Sequence, residues 1–210
     1  MIVTSVNIGQ PKHVNWNGKT VSTGIFKSPV PSIELEMTDV KLDHVIDRRY
    51  HGGIDKACYL YSEDHYAYWK GLYPSLEFNH GMFGENITIK DLDESKIMIG
   101  DIYRIGGATV QVTQPRQPCF KLGIVFNTQK ILKEFINSNY PGIYLKVLEG
   151  NTVSAGDSMD LIERQHNSMS VSEIYRLLYD KNPNQDDLHY ALSINTLAND
   201  CKMALRKRIV

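Results

Sequence analysis

The stretch QPRQPCFKLG, residues 114–123, places one thiol, Cys119, directly after Pro118 and between two cations, Arg116 and Lys121. Each proline fixes its own φ and biases the residue before it towards extended geometry, so Pro115 and Pro118 hold Cys119 in one direction. Nearby cations favour thiolate over thiol, and a thiolate is a nucleophile or a soft metal ligand. The other two cysteines sit in plainer settings. Cys58 lies in an apolar strand-like run and Cys201 in an amphipathic helical one, and both read as inert core thiols.

A second titratable stretch is RRYHGGIDKACYLY, residues 48–61. Gly52 and Gly53 permit positive φ and close approach to main-chain amides, and Arg48, Arg49, His51, Asp55 and Lys56 surround them. The stretch reads either as a turn with solvated charges or as an oxyanion or phosphate cradle beside a His51–Asp55 acid–base pair. NHGMFGENITI, residues 79–89, is a turn into a strand or a place where Asn86 and backbone amides hold a polar heterocycle. Lys27, in GIFKSPV, adds a cation that could join Arg116 and the glycine loop in an anion pocket. Tyr50, Tyr59, Tyr61 and Trp69 could line such a pocket, although aromatics in these settings are more often core. His44, His51, Cys58 and His65 recur every seven residues, a spacing that shares a face only in a helix. The glycine pair and the strand-like ACYLY argue against a helix there, and the short ligand steps of structural zinc sites are absent.

The elements that must position these residues are mostly strands. Short β-branched segments bounded by Gly, Pro, Asn and Asp recur up to about residue 163, VKLDHVI (40–46) among them, and imply a mainly β fold, a closed or half-closed barrel. Two helices interrupt them, one after Ser62 ending at Pro74, one after Asn127 or Thr128 ending at Pro141. From 164 to 210 the texture is helical: a Ser170–Glu173 capping box, a second helix near Asp186 and a third over 195–208. The domains expected are therefore 1–163, β-rich, and 164–210, a three-helix extension. With 210 residues, 42% hydrophobic, 22% charged and a net charge of −1, the chain has a real core and no global attraction to nucleic acid or anionic membrane. The N-terminus lacks a signal-peptide pattern and no apolar run is long enough to span a bilayer, so a cytoplasmic protein is expected; three cysteines in a reducing compartment do not suggest a disulfide framework.

GIFKSPV, YHGGIDKACYLYSEDHYAYW, FGENITI, GDIYRIGGATVQVTQPRQPCFKLG and GIYLKVLEGNTVSAGD stand in the order and spacing of the MOSC domain family, named for the C-terminal domain of molybdenum cofactor sulfurase. The resemblance covers residues 1 to about 163, and the tail resembles the three-helix extension of a free-standing bacterial branch. It implies a MOSC-type β-barrel, the molybdenum cofactor (Mo-molybdopterin) and Cys119 as thiolate ligand to Mo. Lys27, Arg116, Lys121 and the Gly52–Gly53 amides become candidates for a terminal phosphate, with Lys56 and Asn86 as further cofactor contacts. His51, oriented by Asp55, becomes the proton donor. Family members with known chemistry reduce N-hydroxylated compounds of the hydroxylaminopurine or amidoxime type, and others transfer sulfur.

The expected partners are a small N-hydroxylated substrate and a separate electron-donor protein, since no iron–sulfur cysteine pattern is present; self-association into a homodimer is left open. Two other functions are weighed. Cys119 could carry a persulfide, supplied by a desulfurase. The C-terminal helices, ending in RKRIV, could bind nucleic acid, but Glu173, Asp180, Asp186, Asp187 and Asp200 interrupt any basic face.

Overall fold

Alternation along one central strand sets the architecture. In a strand, successive side chains point to opposite faces. Along Cys58–Ser62, Cys58 and Leu60 join a large aliphatic core, while Tyr59 and Tyr61 join an aromatic one on the other face. The computed structural model describes residues 1–48 and 51–210; Arg49 and Tyr50 of the glycine loop lie outside the described residues.

The strands are β1 (Ile2–Gly9), β2 (Lys12–Trp16), β3 (Lys19–Thr23), β4 (Lys27–Val30), β5 (Ser32–Glu34), β6 (Cys58–Ser62), β7 (Ile87–Lys90), β8 (Ile102–Ile105), β9 (Ala108–Pro115), β10 (Ile143–Glu149), β11 (Thr152–Ser154) and β12 (Met159–Glu163). The helices are α1 (Tyr66–Leu72), α2 (Phe120–Val125), α3 (Lys130–Ser138), α4 (Val171–Tyr179), α5 (Gln185–Ser193) and α6 (Asn199–Arg206). Eight strands form one mixed sheet in the order β12-β8-β9-β10-β6-β7-β1-β4; only β6 and β7 pair in parallel. The fold is mainly β, as expected. The sheet curls until β1 meets the turn before β12, through Val3 N–H to Asp157 O (2.9 Å) and Met159 N–H to Met1 O (2.9 Å), without a continuous closing ladder among the described residues.

Inside the curl sits the aliphatic core, where Leu60, Val110, Val112, Ile143 and Leu145 are fully buried. Val171, Ile174, Leu188, Ala191 and Leu205 of the three C-terminal helices belong to the same cluster, so the helices share a core with the sheet. The aromatic core packs under α1, α2 and α3. Tyr61 and Phe83 stack at 4.5 Å, Trp69 and Phe135 at 5.8 Å, and Trp69 Nε1–H donates to the Tyr61 hydroxyl at 2.7 Å. Tyr61 and Trp69 are therefore core residues. No helix of the described residues is long and apolar enough to cross a membrane.

Several elements differ from the sequence expectation. The strand expected over 40–46 is a loop, because its bonds run across rather than along a ladder. Asp43 Oδ1 accepts from Gly9 N–H (2.7 Å), His44 N–H donates to Gly9 O (3.0 Å), and Leu42 turns the chain with φ 66°. Gly24 is required here: a Cβ would collide with the His44 carbonyl oxygen. The chain after Pro118 is not all loop, since α2 starts immediately behind Cys119. The strands β2 and β11 were not anticipated. The Ser170–Glu173 capping box is present as expected, with Ser170 Oγ accepting from Glu173 N–H at 3.2 Å.

One buried carboxylate shapes the chain just before β7. Glu85 is fully buried and accepts from Tyr66 OH (2.5 Å), Gly81 N–H (2.8 Å), Thr88 Oγ1 (3.0 Å) and Phe83 N–H (3.1 Å). Truncation would orphan two buried amides at a cost of about 1–3 kcal/mol each. We predict that Glu85→Ala lowers unfolding free energy by about 3 kcal/mol or more in urea titrations, and that a loss below about 1 kcal/mol would remove Glu85 from this role.

Candidate functional site

A pocket opens beside the aromatic face of the sheet, where Tyr59 and Tyr144 line it. Tyr59 of β6 lies opposite Tyr144 of β10, and Tyr144 opposite Gln114 of β9, so these side chains share a face. Arg116, two residues beyond Gln114, reaches the same cavity, which is open to solvent on one side. Its walls are the 23–27 turn, the 43–47 loop, the glycine loop with Lys56, the Gly84–Asn86 approach to β7, and Cys119 with Lys121 at the head of α2.

Of the residues singled out in the sequence, Cys119, His51, Lys27, Gly52, Lys56, Asn86, Arg116 and Lys121 all line this one cavity. Asp55 and Gly53 do not. Asp55 lines a separate depression beside Thr113, Lys146 and Asn195, and its carbonyl oxygen lies 2.7 Å from Thr113 Oγ1. The short 3-10 turn Ile54–Lys56 rotates it away from His51. The His51 ring instead meets Tyr144, with Nδ1 3.5 Å from the phenol oxygen, and the acidic charge that acts on it is Asp47. The Gly53 amide is already bonded to Thr38 O at 3.0 Å, so of the two glycines only Gly52 faces the cavity. Gly52 has φ 73°, the left-handed region that favours glycine.

The cations differ in how far they are already compensated. Lys27 Nζ lies 2.6 Å from Asp43 Oδ2, and both side chains are almost fully buried. Asn86 Nδ2–H donates to the same carboxylate at 3.0 Å, and Asn86 Oδ1 accepts from Tyr59 N–H at 3.2 Å. Asn86 thus spends its amide on the protein and fixes the Lys27–Asp43 pair. Lys56 pairs with Asp200 of α6 at 2.5 Å. Arg116 stands apart. It is 3% exposed, its guanidinium lies 5.0 Å from the Tyr59 ring centre and 5.2 Å from that of Phe135, and its Nη1 has no hydrogen-bond partner among the described residues. Arginine stays protonated whatever its setting.

Asp43, His44, Asp47 and Tyr144 were not named from sequence as site residues. Tyr144 could have been found, since it is the one polar-tipped side chain between Ile143 and Leu145 and so must face away from the aliphatic core. Asp43 carried no such signal, because its segment read as a strand. Cys58 and Cys201 behave as inert core thiols: burial pushes both up to about 12.

This cavity and sheet define a class. The chain belongs to the MOSC domain family, which matches residues 47–160. Along almost its whole length it is similar to YflK of Bacillus subtilis (strain 168), described as an uncharacterized protein: 34% identical over 207 residues, 98% of this chain and 93% of that one. The crystal structure of YiiM from Geobacillus stearothermophilus superimposes with a TM-score of 0.83 at 30% identity, covering 100% of this chain and 99% of that one. A protein named Reductase from Gibberella moniliformis (strain M3125 / FGSC 7600) is 33% identical over 135 residues, 63% of this chain and 24% of that one.

His51 reports on the charge of the cavity. Burial, then the positive charges of Arg116, Lys121 and Lys56, push it down to about 4, against a small opposing effect of Asp47. An unfolded histidine titrates near 6.5. The folded protein therefore binds this proton only as pH falls through about 4, and His51 costs stability progressively as pH drops below the unfolded value. We predict an NMR titration midpoint for the His51 ring near 4 in ligand-free protein, moving upwards when phosphate enters the cavity. A midpoint near 6.5, unmoved by phosphate, would contradict the geometry.

Proposed function

We propose that this protein binds the molybdenum cofactor and reduces N-hydroxylated small molecules with electrons from a separate donor protein. The observation that carries the reading is Arg116, a buried guanidinium whose Nη1 has no partner among the described residues, in the same cavity as Cys119. Burying an uncompensated charge costs several kcal/mol, and an anionic ligand relieves that cost. The phosphate of molybdopterin fits such a demand. Arg116 and Lys121 are the first candidates to hold it, with Lys56 beside them; Lys27 contributes less, because Asp43 already neutralises it. Cys119 would be the protein ligand to the metal, presented at the cavity by an extended backbone (φ −121°, ψ 163°). The family and the relative named a reductase support the activity.

When bound, the molybdenum supplies two-electron reducing chemistry. Cleaving R–NH–OH to R–NH2 and water takes two electrons, from the donor protein, and two protons. His51 is the proton-handling group of this cavity. Its Nδ1 lies 3.5 Å from the Tyr144 phenol oxygen, and an anionic ligand beside Arg116 and Lys121 raises the basicity of the ring. Tyr144, its phenol pushed up to about 12 by burial, remains protonated and orients the ring.

The test is metal analysis of protein produced in a host that makes molybdopterin. Wild type is expected to carry close to one Mo per chain and Cys119→Ala to carry none. His51→Ala is expected to keep its metal and lose about a hundredfold in turnover of an N-hydroxylated base. Absence of Mo from the wild type, with a persulfide on Cys119 by intact-mass analysis, would replace this reading with sulfur carriage.

A further inference from the structure

Asp200 lies 144 residues from Lys56 in sequence, yet the two side chains meet at 2.5 Å. Lys56 lines the cavity, and its side chain is only 11% exposed, whereas Asp200 is half exposed. The contact is not isolated. Ala198 N–H, just before α6, donates to Thr113 O of β9 at 3.2 Å. Thr113 Oγ1 in turn lies 2.7 Å from Asp55 O, next to Lys56, and 2.9 Å from Tyr144 O on the cavity floor. Behind Asp200, Cys201 and Leu205 are fully buried in the shared core, so the start of α6 is fixed relative to the sheet.

We propose that Asp200 is a positioning residue of the cavity: through it the C-terminal helices hold the Lys56 ammonium towards a bound anion. This rests on the anion-binding reading above. A free lysine side chain loses much rotamer freedom on engaging a ligand. Lys56, held in advance by a partner on a rigid element, has lost that freedom before the ligand arrives, which favours binding. An ammonium has three donors, so it can keep Asp200 and still face an anion. Because Asp200 is half exposed, water screens its repulsion of that anion more than it weakens the 2.5 Å contact with Lys56.

The test is a double-mutant cycle on the full chain with inorganic pyrophosphate as probe, its binding followed by calorimetry and by the His51 ring resonance. Asp200→Asn is expected to weaken binding about fivefold, Lys56→Met to weaken it further, and Asp200→Asn to have no added effect in the Lys56→Met background. Asp200→Glu is expected to restore most of the affinity. Thermal melting of each variant separates loss of folding from loss of positioning. Equal loss from Asp200→Asn with and without Lys56, or no loss at all, overturns the proposal while leaving the anion cavity intact. A wild type that does not bind the probe overturns both.

Discussion

The guanidinium of Arg116 has to be accommodated before anything else in this site makes sense. It is a permanent charge with almost no access to water, and one of its terminal nitrogens is unpartnered among the described residues. Its contacts with the faces of Tyr59 and Phe135 recover about 0.5–2 kcal/mol each, and the Tyr59 and Tyr144 phenols also favour its charge, but no carboxylate pairs with it among the described residues. Around it lie Lys121, Lys56 and a histidine kept neutral by burial and by their combined positive field. An anion in the cavity would change the balance for all of them together.

The scaffold meets much of the other polar demand nearby with the protein itself, although Gln114 Oε1 and Asp39 Oδ1 are, like Arg116 Nη1, without a partner among the described residues. Asp43 absorbs Lys27, the Gly9 amide and Asn86. Glu85 absorbs two amides and two hydroxyls before β7. Thr113 joins the glycine loop, β10 and the C-terminal helices at one residue. Preorganisation of this kind lets a ligand gain its contacts without first ordering the loops that make them. It also gives the C-terminal helices a part in the cavity, since their packing continues the aliphatic core and their first acidic residue in α6 reaches Lys56.

Much of this was legible in the sequence, for identifiable reasons. The strand-like runs of β6 and β10 and the capping box at Ser170 are local signals, and each produced the expected element. The residues that converge on the cavity came from four separated stretches, and their co-location followed from a family resemblance rather than from spacing. What stayed hidden is long-range. The loop over 40–46 has the hydrophobic pattern of a strand, and only its bonds to Gly9 reveal otherwise. Asp55 stands four residues from His51 and reads as its partner, but one 3-10 turn sends it to another depression and leaves Tyr144, 93 residues away, in its place. Asp200 offered no local cue, because its meaning depends on where α6 docks.

The central claim is that Arg116 exists for a ligand and not for the fold. Arg116→Met keeps the length and the apolar contacts with Tyr59 and Phe135 while removing the charge. Measured by urea unfolding beside the wild type, without and with pyrophosphate, the variant is predicted to match or exceed wild-type stability in the absence of the anion. It is also predicted to lose the stabilisation that the anion gives the wild type. A variant that unfolds several kcal/mol more easily without ligand yet is still stabilised by pyrophosphate would make Arg116 a structural residue and contradict the account.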